Sequence, residues 1–127
     1  MNILVVDDEL SICELLDEFL SMLGHRVTIA SSGEEALSLL DYGDAQVVLL
    51  DIRMPGVSGI EVLRKIRKNS LDTGVIMLSA FGDRETIQRA MDMGANYYME
   101  KPIELEQLIK VLDGWQESRG MGAHGDS

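Results

Sequence analysis

The chain has 127 residues, 46% of them hydrophobic, a formal net charge of −11 and one cysteine. That is the size of one ordinary domain with apolar material for a full core, which excludes a disordered chain and a disulfide-built scaffold. Twenty-two acids against eleven bases argue against direct nucleic-acid binding. No apolar run reaches the roughly 20 residues of a membrane span. No signal-peptide pattern opens the sequence, and the unpaired Cys13 suits a reduced, cytoplasmic setting.

The first apolar run, "NILVV" (2–6), predicts a strand that ends in Asp7-Asp8. A helix follows with Ile12, Leu15, Leu16, Phe19, Leu20 and Leu23 on one stripe, and Gly24 supplies its stop. The second strand is "RVTIA" (26–30). The second helix opens on "SSGEE", where Ser32 and Glu35 fit a capping box. The third strand, "VVLL" (47–50), runs into Asp51, with Arg53 and Pro55-Gly56 close behind. "SGIE", Ser58 to Glu61, starts the third helix with the same capping device. That helix carries the only basic cluster, "RKIRK" (64–68), read as a solvated face. "VIML" (75–78) gives a fourth strand that leads to Ser79. A helix over about 83–93 then stops at Gly94, and "NYYM" (96–99) leads into Glu100-Lys101-Pro102. The fifth helix covers about 104–117, with Pro102 just before it, where a missing N–H does little harm. The composition then shifts to "ESRGMGAHGDS", so the expectation is one domain over 1–117 and a flexible tail or linker start over 118–127.

Five βα units in succession imply an α/β fold with a parallel sheet, right-handed crossovers and helices on both faces. Short runs without clean alternation suit strands covered on both sides. In such doubly wound sheets, functional groups collect beyond the carboxyl ends of the strands, where strand order reverses. With the order 2-1-3-4-5, strands 1 and 3 flank that reversal. Asp7, Asp8 and Asp51 then share one crevice, with Ser79 and Lys101 beside it.

Taken singly, each of these residues has an ordinary account. Aspartate suits a strand-to-helix turn and a helix cap, serine a loop, lysine a surface. Their joint placement at the ends of four strands favours a site. Three carboxylates about 5 Å apart repel by roughly 3 kcal/mol per pair at an effective dielectric of 20. Either their pKa values rise or a cation sits among them. Oxygen donors with no His or Cys suit Mg²⁺, with room for water and phosphate oxygens. The chemistry that fits is phosphoryl transfer, with Asp51 as nucleophile and Lys101 as a point charge on the phosphoryl oxygens.

From about Asn2 to Gln116 the chain resembles the receiver domain of bacterial two-component response regulators. The resemblance rests on "ILVVDDE", "VVLLDIRMPGVSGIEVL", "VIMLSAFGD" and "GANYYMEKP". It implies a flavodoxin-like (βα)5 doubly wound parallel sheet of order 2-1-3-4-5. It implies a phosphorylation-controlled switch that takes a phosphoryl group from a histidine kinase or phosphotransfer protein onto Asp51. Mg²⁺ is the implied cofactor, and self-dephosphorylation is slow, so the protein catalyses only its own phosphorylation and dephosphorylation. Asp8, Asp51 and the backbone carbonyl of Arg53 would ligate the metal, with Asp7 acting through water. Ser79 matches the switch hydroxyl, Tyr98 the aromatic that turns with it, and Ala80 a small position beside the phosphoryl group.

The implied readout surface is helix 4, strand 5 and helix 5, facing a downstream output domain or protein. A kinase approaching over helix 1 and the loop after strand 5 makes Ile12 and Ile103 candidate docking contacts. Ile12 fits the core stripe equally well. A cis peptide at Lys101-Pro102 is expected, both from the sharp reversal that turns Lys101 towards Asp51 and from the matching bond in receiver domains. Two other chemistries fit less well. A haloacid-dehalogenase-type phosphatase needs an acid two residues after the nucleophile, where Arg53 stands. A flavin binder needs a Ser/Thr/Gly-rich phosphate loop where Asp7-Asp8 would repel the phosphate. An interaction module without phosphotransfer remains the alternative, and Mg²⁺-dependent labelling by acetyl phosphate separates the two.

Overall fold

The computed structural model describes residues 1–80 and 82–119. Five strands alternate with five helices: β1 (Asn2–Val6), α1 (Leu10–Met22), β2 (Arg26–Ala30), α2 (Gly33–Leu40), β3 (Val47–Asp51), α3 (Gly59–Asn69), β4 (Gly74–Ser79), α4 (Arg84–Asp92), β5 (Tyr97–Glu100) and α5 (Leu105–Ser118). All neighbouring strands pair in parallel, in the order β2-β1-β3-β4-β5. This is the doubly wound α/β sheet expected from the sequence.

The sheet divides the interior into two cores. Leu4, Val6, Val48, Leu50, Val75 and Met77 pack under α2, α3 and α4. Ile3, Val5, Val47, Leu49, Ile76 and Leu78 pack under α1 and α5. Because side chains alternate along a strand, β1, β3 and β4 need apolar residues at nearly every position, and they are buried almost throughout. The edge strands do not follow that rule. Thr28 and Tyr98 face solvent, because an edge strand has a neighbour on one side only and the flanking helices do not reach over it.

Several boundaries and faces differ from the sequence reading. β5 begins at Tyr97, because Asn96 is committed to a junction: its N–H donates to the Val75 carbonyl (2.9 Å) and its Oδ1 accepts from the Val75 N–H (2.8 Å). On α1 the buried stripe is Cys13, Leu16 and Leu20, with Leu15 and Leu23 exposed. The helix lies on the sheet along a narrower face than its apolar residues suggest. Gly24 does stop it, with φ +93°, a conformation that costs glycine little.

The capping box at Ser32 is only half formed. Ser32 Oγ accepts from the Glu35 N–H, but Glu35 Oε1 takes the N–H of Ser31 at 2.7 Å. At Ser58 both halves are present, with Glu61 Oε1 accepting from the Ser58 N–H. Ser58→Ala is therefore expected to cost about 1 kcal/mol, read as a lower urea midpoint at unchanged slope. An unchanged midpoint would remove the cap's role in holding α3.

The basic cluster also divides. Arg64, Lys65 and Lys68 are exposed as expected, but Arg67 is half-buried. Its guanidinium donates to the carbonyls of Gly94, Ser70 and Thr73 and to Asn96 Oδ1. It ties the end of α3 to the starts of β4 and β5. Of the expected tail, Ser118 belongs to α5, and 120–127 lie outside the described residues. No helix among the described residues is long and apolar enough to cross a membrane.

Candidate functional site

Sheet register brings the polar strand ends together. Val6 pairs with Leu50, and one residue further on lie Asp7 and Asp51. Asp51 pairs with Leu78, so Ser79 follows beside it; Ser79 pairs with Glu100, and Lys101 follows that. Backbone hydrogen bonds continue the alignment past the strands, from the Ile52 N–H to the Leu78 carbonyl and from the Lys101 N–H to the Ser79 carbonyl. Alternation sends Asp7, Asp51 and Lys101 to the same side as Val5, Leu49 and Met99, the α1 and α5 side.

Lys101 is the single ammonium in this crevice among the described residues. Its Nζ lies 2.9 Å from Asp7 Oδ2, 3.2 Å from Glu9 Oε1 and 3.4 Å from Asp51 Oδ2. The contact to Asp7 is an ion pair without an aligned donor, since Asp7 Oδ2 accepts no directed hydrogen bond among the described residues. Burial pulls the lysine pKa down, but the pairs with Asp7, Asp51 and Glu9 outweigh it and raise the pKa overall, so the side chain stays charged. The Lys101–Pro102 peptide is cis.

Asp7 is fully buried and Asp51 is 5% exposed, while Asp8 lies open to solvent. Burial first, and the Asp7 charge second, push the Asp51 carboxyl up to about 6, against the opposing pull of Lys101 and the Arg53 N–H. One carboxylate oxygen from each of Asp7, Asp8 and Asp51 lies within 4.8 Å of the others. Four acids around one ammonium leave a surplus of negative charge, and the donors are all hard oxygens. These residues fit a small divalent cation of the Mg²⁺ type.

The surrounding loops are pinned. The Arg53 N–H donates to Asp51 Oδ1 at 3.3 Å. The Arg53 guanidinium grips Asp83 with two hydrogen bonds, Nε to Oδ2 at 3.0 Å and Nη2 to Oδ1 at 2.9 Å. Asp83 stands at the N-cap of α4, yet its carboxylate makes no cap hydrogen bond to the helix. The Arg53 hydrogen bonds hold its pKa below the usual carboxylate range. Gly59 opens α3 against the end of β3, where a Cβ would collide with the Asp51 carbonyl. Only glycine lets the helix start so close to the aspartate.

The remaining candidates are placed as follows. Ser79 is buried, and its Oγ has no hydrogen-bond partner among the described residues. Ala80 is exposed beside it. Tyr98 is half exposed on the outer edge of the sheet. Ile103, a candidate exposed contact, and Ile12, read either as an exposed contact or as part of the core stripe, are both partly buried and pack against the α1–α5 core. Sequence reasoning assigned no role to Glu9, although it lies within "ILVVDDE". It also missed Asp83, whose pairing with Arg53 across thirty positions depends on two loop conformations that no local pattern signals.

The model of the response regulator receiver domain family matches residues 3–113. The chain is 42% identical over 108 residues to YkoG of Bacillus subtilis, described as an uncharacterized transcriptional regulatory protein; the match covers 85% of this chain and 47% of that protein. The chain thus spans about half the length of the curated relatives it matches. Among solved structures, the receiver domain of NtrX from Brucella abortus is similar at 35% identity and TM-score 0.84, over 91% of this chain and 98% of that one. A response regulator receiver domain protein from Clostridium thermocellum gives 32% identity and TM-score 0.88, over 94% and 97%.

Proposed function

The chain belongs to the response regulator receiver domain family of two-component signalling, and we propose that it is a switch set by phosphorylation of Asp51. The observation that carries this reading is the Asp7–Asp8–Asp51 cluster with Lys101 bridging Asp7 and Asp51. One group, Asp51, is both nucleophile and buried charge. Its carboxylate oxygen forms a bond to phosphorus as the phosphorus–nitrogen bond to the donor histidine breaks. Lys101, kept charged by its acid neighbours, pairs with the phosphoryl oxygens. Asp8, Asp51 and the Arg53 carbonyl would hold Mg²⁺, with Asp7 acting through water. When bound, that ion neutralises the acids and the transferred group.

The donor is a sensor histidine kinase or histidine phosphotransfer protein, and the site of action is the cytoplasm. Product lifetime is set by slow self-dephosphorylation in the same crevice. The chain acts on no separate substrate. Mg²⁺-dependent labelling by acetyl phosphate tests the reading, and a chain that never labels would leave only an interaction module.

Ser79 is the proposed sensor of the phosphoryl group. Its hydroxyl is buried with no partner among the described residues, so it has a hydrogen bond to gain in the phosphorylated state alone. Only such differential contacts shift an ensemble. Tyr98, half exposed beside α4, is the proposed reporter towards an output domain or protein. Ser79→Ala is expected to shrink the phosphorylation-induced NMR shifts over α4, β5 and α5 to a small fraction of their wild-type size. Full-sized shifts in that variant would remove the switch role. For docking, Ile12 and Ile103 offer only their exposed edges, three residues after Glu9 and two after Lys101 in the chain.

A further inference from the structure

Arg64, the first residue of the dispersed basic cluster, lines a groove of about 620 Å³ between α3 and α4. Arg53 and Arg89 line it too, so three of the eleven cations in a chain of net charge −11 gather at one opening. None of Asp7, Asp8, Asp51 or Lys101 lines it. One acid, Glu61, lines the groove as well, and it accepts the N–H and hydroxyl of Ser58; Asp83, close by, receives both arms of Arg53. Arg64 and Arg89 are exposed, and among the described residues neither has an ion-pair partner.

We propose that this groove docks an acidic peptide segment of a partner protein, its carboxylates paired with Arg64 and Arg89. Guanidinium forks match carboxylates in charge and shape. The chain's overall negative field does not forbid this, because physiological salt screens exposed charges beyond about 8 Å. A nucleic acid fits less well. Among the described residues the groove has no aromatic side chain to stack a base. The groove shares Arg53 with the loop beside Asp51, but the two arginines that would hold the peptide, Arg64 and Arg89, take no part in the proposed phosphoryl chemistry.

The test is an amide NMR titration of the full chain with a capped peptide of alternating Glu and Gly. A Lys-Gly peptide, an oligothymidylate and inorganic phosphate serve as controls. Saturable shifts confined to residues around Arg64, Arg89, Ile60 and Thr86 are expected. Arg64→Glu/Arg89→Glu should weaken the peptide by about tenfold while acetyl phosphate labelling is unchanged. Arg64→Gln/Arg89→Gln keeps the test readable if the reversed variant folds poorly, and should weaken binding in the same direction. The proposal is overturned by scattered or non-saturable shifts, by equal binding in the variants, or by an equal response to the Lys-Gly peptide. A stronger response to the oligonucleotide or to phosphate at matched charge also overturns it, by assigning the groove to polyphosphates or to free anions.

Discussion

Asp51→Asn is expected to abolish labelling by acetyl phosphate completely and, in metal-free buffer, to make the protein more stable. Both effects have one origin. β3 carries four buried apolar residues and delivers a carboxylate to the end of the sheet, where it sits 5% exposed near the buried Asp7. The fold holds a charge that it would prefer to shed, which is why the Asp51 carboxyl is pushed up to about 6.

The sign for stability follows. A carboxyl whose folded pKa exceeds its unfolded value binds more protons folded than unfolded between about 4 and about 6. Stability contributed by this group therefore falls as pH rises through that window, and the full penalty stands above it. A shift of this size is worth on the order of 2–3 kcal/mol. Asp51→Asn should recover much of it near pH 7, as a melting temperature higher by roughly 5–10 °C. Near pH 4, where wild-type Asp51 is protonated, the two proteins should melt alike. A variant that labels at the wild-type rate would contradict the nucleophile assignment. Equal melting temperatures at pH 7 would contradict the buried-charge account.

Withdrawal of Mg²⁺ by a chelator should silence labelling as fully as the substitution does. Asp7, Asp8, Glu9 and Asp51 face one ammonium, and an incoming dianion meets that surplus unless a divalent ion offsets it. The same ion should stabilise the fold, by about 3 kcal/mol at a hundred times its dissociation constant. Its binding competes with protons at Asp51, whose metal-free carboxyl is pushed up to about 6, so both labelling and metal stabilisation should fall as the solution is acidified below that point, and sooner at low Mg²⁺. Metal-free stability moves the opposite way over that range. Asp8→Asn removes the exposed carboxylate proposed as a ligand without disturbing the core, and should weaken Mg²⁺ binding at little cost in metal-free stability. Labelling that persists in chelator would contradict the metal's role.

The fold was legible because β1, β3 and β4 are apolar at nearly every position and amphipathic helices, two of them opened by readable serine caps, separate the strands. Alternation of strand and helix then leaves few topologies. The site was legible because register carries Asp7, Asp51, Ser79 and Lys101 to neighbouring strand ends, so four positions far apart in sequence converge. The edges and the pinned loops were not legible in the same way. Leu15 and Leu23 fit a helical stripe, but how wide a face the sheet covers is a tertiary matter. Arg67 looks like any basic helix residue until Gly94, Thr73 and Asn96 arrive beside it. Arg53 and Asp83 become partners only once the loops after β3 and β4 are both placed.

The most direct test of the central claim is to locate the label. Protein treated with acetyl phosphate and Mg²⁺ is digested with trypsin, and the fragment Val27 to Arg53 is sequenced by tandem mass spectrometry. That fragment also contains Asp41 and Asp44, which serve as internal controls. The account predicts one added phosphoryl group, carried by fragment ions that contain Asp51 and absent from those that end before it. A label on Asp41, Asp44, Asp7 or Asp8, or on any residue outside the crevice, would contradict it.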